Sequence, residues 1–129
     1  MNKLDKDSVV GISALLVHAA KIDEIYSEHE KDLVKNFIKS YLKDDDIDEI
    51  LKKAEEIESN SNQLLSFTNI IKQNSTDIKK DIIEHLWKVI ISDNTVDQYE
   101  SNLMRRICGL IYFPDKECAE IKLKLLNLK

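Results

Sequence analysis

The sequence is poor in residues that form turns or cross-link chains, with two glycines, one proline and two cysteines among 129 residues. So few turn formers argue against an all-β fold, because each short strand needs its own turn. Cys108 and Cys118 are the only cysteines, and they form no CxxC motif. We expect both to be small buried side chains in a reducing compartment, and therefore predict a cytoplasmic protein.

Positive charge and long apolar runs are also scarce. The net charge is −5, which disfavours nonspecific binding to a phosphate backbone and predicts no nucleic-acid partner. Residues 9–20 are the most apolar run, but they are too few to cross a bilayer. Asp5 and Asp7 stand where a signal peptide would need positive charge. We therefore predict a buried helix here and no membrane insertion by this chain.

The residues that are abundant point to a helical protein. Hydrophobic residues make up 43% and charged residues 33% of the chain, which is typical of one soluble all-α domain covering 1–129. Apolar side chains at helical spacing predict seven helices and no strands. Asp5 or Asp7 should cap the first helix, and the third should carry a solvated acidic face. The expected helices cover 7–21, 27–42, 46–58, 62–73, 76–91, 97–112 and 115–127.

A helix-link-helix pattern occurs twice, with the second copy 70 residues after the first. We predict that 7–21 with 27–42, and 76–91 with 97–112, form two hairpins related by a pseudo-twofold. The helices at 46–58 and 62–73 have no counterpart and should cover one side of the bundle. The matched pairs include Ile12 and Ile82, Leu16 and Leu86, Asp23 and Asp93, Ser27 and Asp97, Phe37 and Ile107, and Glu30 and Glu100.

The acidic residues around the two links allow two interpretations. Ser27 with Glu30, and Asp97 with Glu100, have the spacing of helix capping boxes, which explains these residues without a ligand. Alternatively, a pseudo-twofold could bring four carboxylates together as a site for calcium, magnesium or manganese. Both interpretations stay open from the sequence. The four candidate metal ligands are Asp23, Glu30, Asp93 and Glu100.

The doubled motif resembles that of the tellurite-resistance TerB family. A domain of this family also forms the N-terminal part of some membrane-anchored DnaJ-like co-chaperones. The resemblance is carried by 22–30 and 92–100, and it covers roughly 8–120. It implies an all-helical fold, a role in stress response to metal oxyanions, and metal binding by the acidic residues. Glu24 and Asn94 stand where the family has glycine. Since Asn enters the left-handed region more easily, we expect Asp93 and Glu100 to matter more than Asp23 and Glu30.

Nothing in the sequence predicts catalysis. The three histidines, His18, His29 and His85, form no HExxH motif, and two glycines cannot build a phosphate-binding loop. We therefore expect a non-enzymatic stress-response protein that binds a divalent cation or a basic partner through its paired acidic links. The alternative is a helical module for protein–protein interaction or self-association, with no ligand site.

Overall fold

Seven α-helices and no strand account for the secondary structure of the described residues. The computed structural model describes residues 4–21, 26–42, 46–60, 65–91 and 98–127. The all-α prediction is confirmed, and the seven helices fall where the sequence places them. They are α1 (Lys6–Ala20), α2 (Glu28–Tyr41), α3 (Ile47–Ser59), α4 (Leu65–Lys72), α5 (Thr76–Ile91), α6 (Gln98–Leu110) and α7 (Asp115–Asn127).

Helix α1 is the centre of the fold. Its N-cap is Asp5, whose carboxylate accepts a 2.7 Å hydrogen bond from the Ser8 amide. Eleven of its fifteen residues are buried, because α2, α3, α4 and α5 all pack against it. At Gly11 a Cβ atom would come within 2.5 Å of Ile70 Cδ1, so the glycine permits the close approach of α4.

The remaining helices surround this centre in two groups. Helices α3 and α4 both pack against α1, while α3 also packs against α2 and α4 against α5; that they cover one side of the bundle stays a prediction. Helix α7 packs against α5 and α6, while α6 also contacts α4. The two hairpins and their pseudo-twofold relation stay a prediction, and the described parts of α5 and α6 do not pack against each other as α1 and α2 do. None of the described helices has the length and apolar character needed to cross a membrane.

The end of α6 differs from the prediction by two residues. The helix ends at Leu110 and not at 112, because Tyr112 adopts a left-handed conformation with φ of 59°. The Phe113 amide donates to the Cys108 carbonyl at 2.9 Å, and the Tyr112 amide to the Gly109 carbonyl at 3.4 Å. This pattern of crossed bonds is a Schellman motif, which normally places glycine at the left-handed position. The chain then turns through Pro114 into α7.

Candidate functional site

The first link is where the structure describes the predicted site best. Ser27 and Glu30 lie within the described residues, whereas Asp23, Asp93 and Asp97 lie outside them. Glu100 belongs to α6, but its side chain is also outside the described part. The four-carboxylate metal site therefore stays a prediction. Among the side chains that are described, no three His, Cys, Asp or Glu residues are grouped to hold a metal ion.

The predicted capping box at the start of α2 is confirmed. The Ser27 hydroxyl oxygen accepts from the Glu30 amide at 3.2 Å, and Glu30 Oε1 accepts from the Ser27 amide at 2.9 Å. The same Oε1 also lies 3.1 Å from the Ser27 hydroxyl, which can donate to it. Glu30 is only 7% exposed. Its buried carboxylate is thus held by donors from the cap, which positions the chain leaving the first link.

Two acidic residues of α3 bind the chain on either side of this link. On the α1 side, Glu58 accepts from Lys21 Nζ at 2.8 Å and lies 3.2 Å from His18 Nδ1. On the α2 side, the Tyr26 hydroxyl donates to Glu55 at 2.8 Å. Because Glu55 and Glu58 are three residues apart, they share one face of α3. That face therefore fixes Lys21 and Tyr26, the described residues that flank the link.

Burial and charge adjust the proton affinities of these groups. Burial alone would raise the pKa of the Glu58 carboxyl, but hydrogen bonds from Lys21 and His18 outweigh it and lower the pKa. Burial, followed by the hydrogen bond to Glu55, raises the pKa of the Tyr26 hydroxyl. Tyr26 therefore remains a donor and Glu58 an anion near neutral pH. The first link therefore lies between two contacts to α3: an ionic one from Lys21 to Glu58 and one from the neutral Tyr26 hydroxyl to Glu55.

The acidic face of α3 is solvated as predicted at Asp46, Asp48, Glu49 and Glu56, which are exposed. Two of its acids differ, since the Glu58 side chain is only 12% exposed and Glu55 is half-buried. Helical periodicity reports only contacts along one helix, so it could not reveal partners 29 to 40 residues away. One signal was available in the sequence. Two basic residues, His18 and Lys21, are three positions apart, and so are two acidic residues, Glu55 and Glu58.

A separate polar groove of about 410 Å³ lies between α2 and α5. Within it the Tyr41 hydroxyl donates to Asp81 at 2.6 Å, and His85 Nε2 lies 3.7 Å from the same carboxylate. Burial and then Asp81 raise the pKa of Tyr41. Neither Ser27 nor Glu30, the predicted site residues whose side chains are described, lines this groove. Its lining residues are Ser40, Tyr41, Asp77, Lys80, Asp81 and Glu84.

Comparison with known proteins decides the family. A family model described as "Tellurite resistance protein TerB" matches residues 10–123, nearly the whole chain. The chain belongs to the TerB family. The match includes both links and all the helices that flank them, so it confirms the resemblance carried by the doubled motif. No curated protein and no solved structure matched the chain.

Proposed function

We propose that this TerB-family chain is a non-enzymatic stress-response protein of the tellurite and metal-oxyanion resistance type. The observation that carries the proposal is the family match over residues 10–123, because it includes both copies of the acidic motif. The two free cysteines support a cytoplasmic location. The proposal predicts that expressing the chain lets a tellurite-sensitive bacterial host grow at higher tellurite concentrations. Unchanged growth with soluble, folded protein would overturn it.

We further propose that the two links bind one divalent cation, calcium, magnesium or manganese. Carboxylate oxygens are the ligands these hard cations prefer, and the motif supplies Asp23, Glu30, Asp93 and Glu100. In the first link, Glu30 Oε1 already has two donors from Ser27, so this oxygen is committed to the cap. Asp23 and Asp93 are then the principal ligands. The contacts from α3 to Lys21 and Tyr26 would limit how far the first link moves on binding.

Calorimetry with each of the three cations tests this binding. We expect a dissociation constant below about 1 mM for at least one cation, and loss of the binding heat in Asp93→Asn. Asp32→Asn is the matched control, because it removes the same charge from an exposed position of α2. Absence of heat with all three cations, or equal binding by Asp93→Asn and Asp32→Asn, would rule out the cation site.

The two links should contribute unequally. Glu24 replaces the motif's glycine in the first link and Asn94 replaces it in the second. A left-handed conformation costs a glutamate about 1 kcal/mol more than it costs an asparagine. We therefore expect Asp93→Asn to weaken cation binding more than Asp23→Asn does. Equal losses from the two variants would mean that both links serve one site equally, and that Glu24 imposes no such cost.

The second candidate function is a helical interaction or self-association module without a ligand site. The Ser27–Glu30 capping box favours it, because a structural role accounts for one of the four acids without any cation. Sedimentation equilibrium across a range of protein concentrations tests self-association directly. A monomer at every concentration that still gives cation-binding heat would exclude self-association as the function. A dimer that forms with no cation present would favour it.

A further inference from the structure

A groove of about 440 Å³ lies where α7 packs against both α5 and α6. Trp87 lines it from α5, Met104 and Arg105 line it from α6, and Cys118 and Lys122 line it from α7. Sites for small molecules usually occupy about 300 to 1,000 Å³ and combine an apolar lining with a few placed polar groups. The volume of this groove is therefore sufficient for a small molecule.

The inner side of the groove is apolar. Trp87, Met104 and Cys118 belong to the buried core, and all three line the groove. The Trp87 indole N–H donates to the Cys118 carbonyl at 3.1 Å, which fixes the orientation of the ring. Methionine is unbranched and adapts its shape to a neighbouring group. A fixed aromatic ring beside an adaptable side chain suits the apolar part of a ligand.

The outer side of the groove carries more positive than negative charge. Its charged lining residues are Arg105, Lys122 and Asp115, two basic side chains and one acidic. The whole protein has a net charge of −5, and other grooves beside α5 are acidic. The groove between α2 and α5 is lined by three acidic residues and one basic residue. A locally positive groove in an acidic protein favours an anion, and Asp115 disfavours an anion with several charges.

Lys122 connects the charged side of the groove with its apolar side. The residue is half-buried, and its Nζ lies over the Trp87 ring, 5.4 Å from the ring centre. A cation–π contact near the surface is weak, whereas a charge-assisted hydrogen bond to a carboxylate is stronger. An anion in the groove can therefore draw the ammonium group away from the ring. The uncovered ring face is then open to the apolar part of the same ligand.

We propose that this groove binds a small carboxylate that has an apolar body and a single negative charge. The apolar body lies on the Trp87 ring and against Met104, and the carboxylate lies between Arg105 and Lys122. The planar guanidinium of Arg105 binds both oxygens of a carboxylate, and Lys122 supplies a further charged donor. The site is formed by α5, α6 and α7, so it does not depend on cation binding by the acidic links.

Calorimetric titration of the full-length protein with phenylbutyrate tests the proposal. We expect a dissociation constant below about 1 mM, which is typical of a ligand with so few atoms. Phenylbutyramide has nearly the same shape without the charge, and it should bind at least about tenfold more weakly because it lacks the charge-assisted hydrogen bonds. Trp87 is the chain's single tryptophan, so a change in its fluorescence during the titration places the ligand in the groove.

Variants at exposed positions separate the charge of the site from its shape. Arg105→Gln should weaken phenylbutyrate binding at least about threefold. Arg106→Gln is the matched control, because Arg106 is the next residue of α6, is also exposed, and does not line the groove. Ala119→Leu fills the groove from an exposed position, so it should abolish binding of the acid and the amide alike. Circular dichroism verifies that each variant is folded.

Four results would overturn the proposal. The first is no binding heat with phenylbutyrate and folded wild-type protein, and the second is binding heat without any change in Trp87 fluorescence. The third is equal affinity for phenylbutyrate and phenylbutyramide, which would remove the role of the charge. The last is an equal effect of Arg105→Gln and Arg106→Gln, which would mean that only the overall charge of the protein matters.

Discussion

Helices α1 and α5 occupy matching places in the two repeats, but their surroundings differ. On the core face the match is close: Ile12 and Ile82, and likewise Leu16 and Leu86, are all fully buried. Elsewhere it fails. Ala14 and Leu15 of α1 are buried without exposure, whereas their counterparts 70 residues later are Glu84 and His85, which are only partly buried.

The difference follows from what covers each helix. Helices α3 and α4 pack against α1, so residues that would otherwise face solvent must be apolar. Helix α5 is covered by α7, but Lys80 and Glu84 still line grooves that reach the surface. The sequence repeat thus describes the core face that α1 and α5 have in common. Whether the other faces of α1 are apolar depends on α3 and α4, the helices without a counterpart in the repeat. Their packing against α1 places it at the centre of the fold.

The largest expected effect tests the shared core face. Leu16→Ala and Leu86→Ala each remove a fully buried side chain, and each should lower the free energy of unfolding by about 3 kcal/mol. Urea denaturation monitored by circular dichroism measures both. Leu123→Ala is the control, since that leucine is 57% exposed and should cost less than about 0.5 kcal/mol. A loss of unfolding free energy near that of the control at either site would contradict the equivalence of α1 and α5 on the core face.

Periodicity predicted the fold well because burial repeats along each helix. The bounds of α5 and α7 match the expected 76–91 and 115–127, and Pro114 marks the start of α7 as expected. The end of α6 was wrong because Tyr112, not glycine, takes the left-handed position. No local pattern marks that choice. It becomes visible only in the crossed bonds to Cys108 and Gly109.

The second prediction compares the caps of the two links. Ser27→Ala removes an observed capping bond and should cost about 1 kcal/mol of unfolding free energy. If the second link forms the same box, Asp97→Ala should cost a similar amount. Thermal and urea unfolding of both variants measure this, with Asp32→Ala on the exposed face of α2 as the control. A cost for Asp97→Ala no larger than the control's would show that the boxes are not equivalent.

The third prediction uses the pair Leu15 and His85. Burial lowers the pKa of His85 from 6.5, outweighing the opposite effect of Asp81. The unfolded chain therefore takes up a proton at higher pH than the folded protein does. Stability should be constant above about pH 6.5 and fall as the pH drops below that value. His85→Leu installs the residue of the first repeat and should remove this fall.

Urea unfolding at about pH 7.5 and about pH 5.5 measures the effect of His85. The contribution of Glu58 lies in a different window. Its pKa is lowered from 4.5 in the folded protein, so the stability it provides is lost only as the pH falls below that value. Equal loss of stability in the wild type and in His85→Leu between the two pH values would contradict the assignment to His85.

The candidate site could be predicted only in part, because its contacts join distant parts of the chain. The Ser27–Glu30 box is local, within one turn of helix, and the spacing revealed it. The anchoring of the first link by Glu55 and Glu58 was missed because helical periodicity reports only on which face of α3 they lie, not on their partners in other elements.

The smallest expected effect concerns the ends of α2 and α6. Leu42, at the end of α2, has an ordinary φ of −129°, whereas its counterpart Tyr112 has φ of 59°. Tyr112→Asn should relieve about 1 kcal/mol of backbone strain and lose about 0.5 kcal/mol from the contact of Lys72 Nζ with the ring, 4.7 Å away. The net gain is about 0.5 kcal/mol, since the ring is 72% exposed and contributes little packing. Tyr112→Ala keeps the strain and loses the contact, so it should be destabilised, and Leu42→Asn should give no gain. Equal stability of Tyr112→Asn and Tyr112→Ala in urea unfolding would mean that the left-handed residue stores no strain.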